Sequence, residues 1–276
     1  MPRLWPWVLL GLVALEGARG RKRFRPLTYP GITNKTFIGQ YVDIHNRLRS
    51  EVQPQAADML YMTWDLALAR TARAWGQKCI FQHNHFMKEK GAGHPDPKLH
   101  PVGENIWFGP ARRVPFNSSN AIYSWYSDKD FYDYQDNSCS QVCRHYKQVV
   151  RASTYKVGCA VVFCRRLDRH RNTEYFVCNY GPTDTYPSRP YKTGQPCSAC
   201  PEGDTCQDHL CRNSSREKIY IKRYSRWYPP WEHKLICDDS CIVLAVLRPS
   251  LTLLAFVTVY CLQKCYPDLM LQTETV

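Results

Sequence analysis

The chain has 276 residues, 14 cysteines and a formal net charge of +13, with 44% hydrophobic and 22% charged residues. A chain this apolar can bury a core, which excludes a disordered polymer, and the length holds one medium domain with appendages or two small domains. A pI near 9.1 attracts anionic partners, whether nucleic acid, proteoglycan or lipid headgroups, without choosing among them.

At the N-terminus, Arg3 precedes an apolar run from Leu4 to Leu15, and the small residues Gly17, Ala18 and Gly20 follow. This is the order of a secretory signal peptide over residues 1–20, too short to span a bilayer, with cleavage expected near Gly20. The exported chain then opens on a basic segment, 21–36, carrying Arg21, Lys22, Arg23 and Arg25. Export makes disulfides the default use of the cysteines and removes nucleic acid as a partner. It also makes Asn34, Asn117 and Asn213, each in an Asn-X-Ser/Thr sequon, glycan acceptors.

Phe37, Tyr41, Ile44, Leu48 and Val52 recur at helical spacing and predict a helix over 35–52. Trp64, Leu68, Ala72, Trp75 and Cys79 predict a second. After a Pro/Gly/His loop, Gly103–Trp107 reads as a short strand. A third helix, capped by Ser118 or Ser119, carries Ile122, Trp125 and Tyr126 on one face, and Val142, Tyr146 and Val149 mark a fourth. Lys156–Cys164 and Glu174–Tyr180 are β-rich and read as a hairpin around a polar loop, Arg165–Thr173. Helices interspersed with strands in one unit predict a sheet covered by helices on both faces. Cys79, Cys139, Cys143, Cys159, Cys164 and Cys178 are spread through this region; alone they allow 15 pairings.

Cys197, Cys200, Cys206 and Cys211 crowd into 15 residues with little apolar content, so two disulfides must hold that stretch. The Cys197–Cys200 CxxC has no helical pattern or histidine cluster beside it, which favours a disulfide hinge over a zinc knuckle. A juxtamembrane stalk, 216–241, follows the hinge at 191–215. Its Tyr224, Trp227, Tyr228 and Trp231 suit a membrane-interface belt or an extended stalk, and Cys237 is expected to pair with Cys241. Residues 242–263 form an apolar run long enough to cross a bilayer, interrupted by Arg248 and Pro249. The arginine costs roughly 3 kcal/mol on the insertion scale, and more than ten Leu, Ile, Val and Phe residues offset it. The expected topology is single-pass with the N-terminal domain outside and 264–276 as a cytoplasmic tail; the domain is secreted if the tail is removed. Cys261 and Cys265 then sit at the inner face, placed for palmitoylation.

Six stretches identify a family. They are His45-Asn46-Arg47-Leu48-Arg49, Met62-Thr63-Trp64-Asp65, Gly103-Glu104-Asn105-Ile106-Trp107, His145-Tyr146-Lys147-Gln148-Val149-Val150, Tyr155-Lys156-Val157-Gly158-Cys159-Ala160 and Cys178-Asn179-Tyr180-Gly181-Pro182. In this order they resemble the CAP superfamily of cysteine-rich secretory, antigen 5 and pathogenesis-related 1 proteins, over about residues 37–211. The apolar tail resembles the membrane-anchored, glioma pathogenesis-related 1-like branch. The resemblance implies an α+β fold: a three-layer αβα sandwich over 37–190, followed by the disulfide-rich hinge and a C-terminal transmembrane helix. It also implies the pairs Cys79–Cys164 and Cys159–Cys178, leaving Cys139–Cys143.

The family's cleft is lined by two histidines and two acids, and the matching positions are His83, Glu104, Asp128 and His145. Imidazole with carboxylate suits zinc and similar divalent ions, so the resemblance implies a zinc-capable cleft with no obligatory cofactor. The chain departs from the family pattern at several places. Asp128 replaces a glutamate and shortens the reach by about 1.5 Å. Arg151 replaces a tryptophan, Lys147 a threonine-like residue, and Thr183-Asp184-Thr185 the usual glycine and asparagine.

The chain contains no HExxH pair and no GxSxG elbow. The resemblance implies mainly binding roles, so the expected function is a non-enzymatic extracellular module for lipid, sterol or a cell-surface protein. The alternatives are a metal-dependent hydrolase, with Glu104 or Asp128 as base, and a purely structural surface protein. The run from Arg165 to Arg171 reads first as a solvated hairpin loop and second as a contact for sulfated glycans or anionic lipid.

Overall fold

A computed structural model of the chain describes residues 28–111, 114–184, 188–219, 223–232 and 239–266. The expected signal peptide, most of the basic segment, Cys237, the side chain of Cys241 and the residues beyond 266 lie outside the described residues. The chain divides into two units, Met1–Trp231 and Glu232–Val276.

In the first unit, α1 (Lys35–Ser50) starts at Asn34, whose side chain accepts from the Phe37 amide. β1 (Thr63–Trp64) leads into α2 (Leu66–Gly76), capped by Asp65. β2 (Gly103–Pro110) precedes α3 (Ser118–Tyr126), and the short strands β3 (Tyr132–Asp133) and β4 (Ser138–Cys139) precede α4 (Arg144–Val149). β5 (Lys156–Leu167) and β6 (His170–Gly181) form a long hairpin. The hinge contributes β7 (Thr205–Gln207), β8 (Leu210–Arg212) and α5 (Ser214–Glu217).

The main sheet has the order β1-β5-β6-β2, with β1 parallel to β5 and the other pairs antiparallel. Alternation along β6 assigns the two faces. Phe176 meets Phe37 of α1 and stacks on Trp125 of α3, while Val177 and Val162 lie against Gly76 of α2. Helices therefore cover both faces, and every β6 residue from Thr173 to Gly181 is buried. The αβα sandwich is observed, as are the disulfides Cys79–Cys164, Cys159–Cys178 and Cys139–Cys143. The hinge is closed by Cys197–Cys206 and Cys200–Cys211.

Several local readings change. Trp64 belongs to a strand paired with Val157, because Asp65 caps α2 and stops the helix from extending backwards. Asn117, not a serine, caps α3, and Val142 is exposed ahead of α4. Most of the polar loop Arg165–Thr173 is ladder, with only Asp168 and Arg169 left at the turn. All three sequon asparagines are helix N-caps. Asn34 and Asn117 are exposed, while the Asn213 amide donates to Asp204 at 3.0 Å.

His45, Asn46 and Arg49 of the first motif are buried ties, while Arg47 is exposed. Asn46 exchanges two hydrogen bonds with the Met62 backbone, both 2.8 Å. His45 donates from Nδ1 to the Tyr41 carbonyl and accepts at Nε2 from the Tyr180 hydroxyl. Burial lowers its pKa from 6.5 to about 4. A depressed histidine stabilises the fold fully above pH 6.5 and loses that contribution as the pH falls towards 4, an effect of about 3 kcal/mol. Urea midpoints should therefore fall more steeply between pH 7 and 4.5 in the wild type than in His45→Gln. Equal slopes would remove His45 from the account.

The stretch read as a stalk or interface belt instead packs on the domain. Arg70 of α2 donates to the carbonyls of Tyr224, Ser225 and Trp227 and sits over the Tyr228 ring. Trp231 stacks on Phe86 at 5.2 Å and donates to the Ala92 carbonyl at 3.0 Å. These aromatics complete a core over α2, so they are not a solvent-exposed belt.

The second unit is α6 (Asp239–Cys265), whose segment Val243–Cys265 is long and apolar enough to cross a membrane. Its 23 residues span about 34 Å as a helix, against about 30 Å of hydrocarbon. Ser250, Thr252 and Thr258 return their hydroxyls to carbonyls four residues back, which suits an apolar surrounding. Cys261 and Cys265 are exposed and unbridged.

Candidate functional site

β2 organises the site from two adjacent residues. Glu104 accepts from His83 Nδ1 at 3.1 Å and from the Asn84 amide at 2.9 Å. Its neighbour Asn105 donates to the His145 carbonyl at 3.1 Å. His83 lies beyond α2, just before a 3₁₀ turn, His85–Lys88, capped by Asn84. Asp128 lies in the 3₁₀ turn Ser127–Phe131 that follows α3, and its carboxylate accepts from His145 Nδ1 at 2.8 Å. The shorter acid therefore still reaches its histidine.

The four residues matched from the family form two imidazole–carboxylate pairs. In each pair Nδ1 faces the acid, and Nε2 has no hydrogen-bond partner among the described residues. The Glu104 side chain is 2% exposed, and its Oε2 is buried without a partner. Burial pushes the Glu104 carboxyl above its usual range, and the hydrogen bond to Glu104 raises the His83 pKa.

His83 and Glu104 open onto a cleft of about 670 Å³, lined also by Met87, Lys88, Lys90 and Val102. Asp128 and His145 are not among its lining residues. Sequence reasoning passes over Met87, Lys88 and Lys90, because a four-residue 3₁₀ turn leaves no periodicity to read. The run of Gly, His and Pro after Lys90 is the one available signal that this wall is irregular chain.

Two of the departures from the family pattern pair with each other, and two others make polar contacts of their own. Arg151 donates to Asp184 at 2.6 Å, so the residue in place of tryptophan pairs with one in the altered segment after Tyr180. Lys147 donates to Asn137 at 2.8 Å and lies over the Tyr132 ring. Thr183 donates to Gln148 at 3.0 Å. Polar contacts thus stand where an apolar contact was expected.

A family model described as "CAP: Cysteine-rich secretory protein family" matches residues 42–180. The chain is 45% identical over 224 residues to GLIPR1-like protein 1 of Bos taurus, covering 80% of this chain and 89% of the relative. The chain belongs to the CAP family. It is also 39% identical over 264 residues to glioma pathogenesis-related protein 1 of Mus musculus, covering 96% and 98% of the two chains. Among solved structures, Na-ASP-1 superposes with a TM-score of 0.53 at 28% identity, over 67% of this chain and 49% of that one. NaASP2, solved with Zn2+, superposes with a TM-score of 0.51 at 25% identity, over 64% and 96%.

The two pairs of this CAP chain carry imidazole and carboxylate, donor types that suit a divalent ion. A histidine held at Nδ1 by a carboxylate presents Nε2 as a ligand, the arrangement found around metal-bound imidazoles. Each pair therefore leaves one imidazole Nε2 that could face an ion, but among the described residues His83, Glu104, Asp128 and His145 do not gather as ligands within 4.8 Å of one another. The cluster of three potential ligands found within 4.8 Å among the described residues is Cys197, Cys200 and Cys211. All three are in disulfides, so they form a hinge and not a zinc knuckle.

Proposed function

We propose that this CAP protein is a membrane-tethered extracellular binding module whose cleft takes an amphipathic lipid with an anionic head. The cleft wall carries the proposal: Met87, Pro101 and Val102 stand beside Lys88, Lys90 and His83 in one hollow, whose wall also holds the carboxylates of Glu89, Glu104 and Asp184. Apolar surface beside cations suits an acyl chain ending in a carboxylate or phosphate. A bound divalent ion would add positive charge for that head. The hydroxyl in the wall, Thr183, is donated to Gln148, so it is not paired with a base. The tether is α6, whose length and composition suit a membrane.

The test uses the full chain in nanodiscs, with radiolabelled palmitate and cholesterol as probes, with and without zinc. Saturable palmitate binding is expected, at least tenfold weaker in Lys88→Glu/Lys90→Glu. Zinc affinity should fall about 10- to 100-fold in Asp128→Asn and Glu104→Gln, as when an orienting carboxylate is lost. Palmitate binding should persist in His145→Ala. Zinc-dependent turnover of an ester that disappears in His145→Ala would overturn the reading in favour of a hydrolase. Failure of both lipids to bind would overturn it in favour of a protein partner.

A further inference from the structure

The tip of the β5–β6 hairpin carries a charge arrangement that the cleft does not use. Leu167 lies opposite His170, and Arg166 lies opposite Arg171, in register across the antiparallel ladder. Like charges held directly opposite destabilise a hairpin. Arg165, Arg166, Arg169 and Arg171 are all exposed, and none forms an ion pair with a carboxylate among the described residues. Arg165, Arg166, Arg171 and Asn172 line a hollow of about 520 Å³. The tip is braced, since His170 packs on Phe108 of β2 at 4.7 Å and Cys164 is bridged to Cys79.

A solvated loop would let its cations spread apart. Here the ladder holds Arg166 and Arg171 side by side, and Asp168 is the one acid in the tip against four arginines, which leaves an excess of positive charge for an external anion to neutralise. All four are arginines, whose planar guanidinium offers paired N–H donors to oxyanions, where lysine offers a point charge. We infer that the hairpin tip is a binding site for sulfated glycans, with Arg165, Arg166 and Arg171 gripping sulfate groups.

A membrane surface fits less well. Interfacial elements insert apolar side chains, yet Leu167 at the tip is fully buried and Phe163, further down the strand, is the hairpin's one exposed large hydrophobic. The anionic leaflet also faces the cytosol. This last point rests on the extracellular placement proposed above.

The experiment applies detergent-solubilised full chain to heparin, to desulfated heparin and to phosphatidylserine vesicles. Retention on heparin that needs sulfate and falls with salt is expected. Binding should be roughly 10- to 100-fold weaker in Arg165→Gln/Arg166→Gln/Arg171→Gln. The charge-matched control Lys35→Gln/Lys98→Gln/Lys192→Gln should stay within about twofold of wild type. Equal losses in the two triple variants, or equal retention on desulfated heparin, would overturn the site. So would vesicle binding that exceeds heparin binding. Labelling a tag inserted directly after Arg21, beyond the expected cleavage point, on intact cells reports the placement separately. Heparin retention without surface labelling would refute the glycan assignment, whereas surface labelling without heparin retention refutes the site and leaves the placement standing.

Discussion

Gly158→Ala should destabilise the domain by about 3 kcal/mol or more, lowering the melting temperature by roughly 10 °C or preventing folding. The first turn of α2 lies directly on β5 at this residue. An added Cβ would come within 2.1 Å of the Ala69 nitrogen, 2.6 Å of the Leu68 carbonyl carbon and 2.7 Å of the Asp65 oxygen. All three are backbone atoms, so no rotamer change relieves the clash and the helix must lift off the sheet. Lifting it would also open the packing of Gly76 on Val162 and Val177. Gly31→Ala is the control: nothing lies within 4 Å of its added Cβ, and a change within about 0.5 kcal/mol is expected. Thermal unfolding of the full chain in detergent, followed by circular dichroism, reads both. Equal melting temperatures for the two variants would show that α2 is not seated as described.

Arg49→Met is expected to cost about 3–5 kcal/mol. Arg49 is 1% exposed, and its guanidinium donates to five backbone carbonyls: Leu60, Val149, Arg151, Ala152 and Thr154. Burial lowers its pKa to about 9. The group thus ties the end of α1 to the chain before β1 and to the turn between α4 and β5. Methionine fills a similar volume but leaves those carbonyls buried without their donor. Arg49→Lys should recover part of the loss, since an ammonium has three donors and no planar fork. Urea midpoints for the three proteins should rank Arg, Lys, Met. A methionine variant as stable as wild type would refute this role.

The sequence showed the family motifs and hid the reasons for them. His45, Asn46 and Arg49 are legible in the sequence only as part of a family motif, and the structure shows all three buried and bonded to backbone. Their partners, at Tyr180, Met62 and Val149–Thr154, are distant along the chain. The pairing of Arg151 with Asp184 is another such case. Each looks like a defect when compared with the family pattern alone, and only their 2.6 Å contact makes them one feature. The aromatics from Tyr224 to Trp231 have the composition of a membrane belt, and nothing local tells that composition from an aromatic core over α2.

Read alone, the chain determines its periodic elements, its secretory and membrane-spanning segments as expectations, and a set of cysteines whose pairing came through resemblance. Those are local or family-level signals: apolar spacing of two or 3.6 residues, run length, and short motifs in order. Only the tertiary structure decided which acid faces which histidine, and that Arg166 and Arg171 are neighbours rather than opposite ends of a loop. The physical reason is common to all of these. Hydrogen bonds and like-charge contacts act over a few ångströms, while the residues that make them are brought together by the register of a sheet and the seating of helices upon it. So the +13 is a property of composition alone, while the pairing of Arg166 with Arg171 across a two-residue turn is a property of the register.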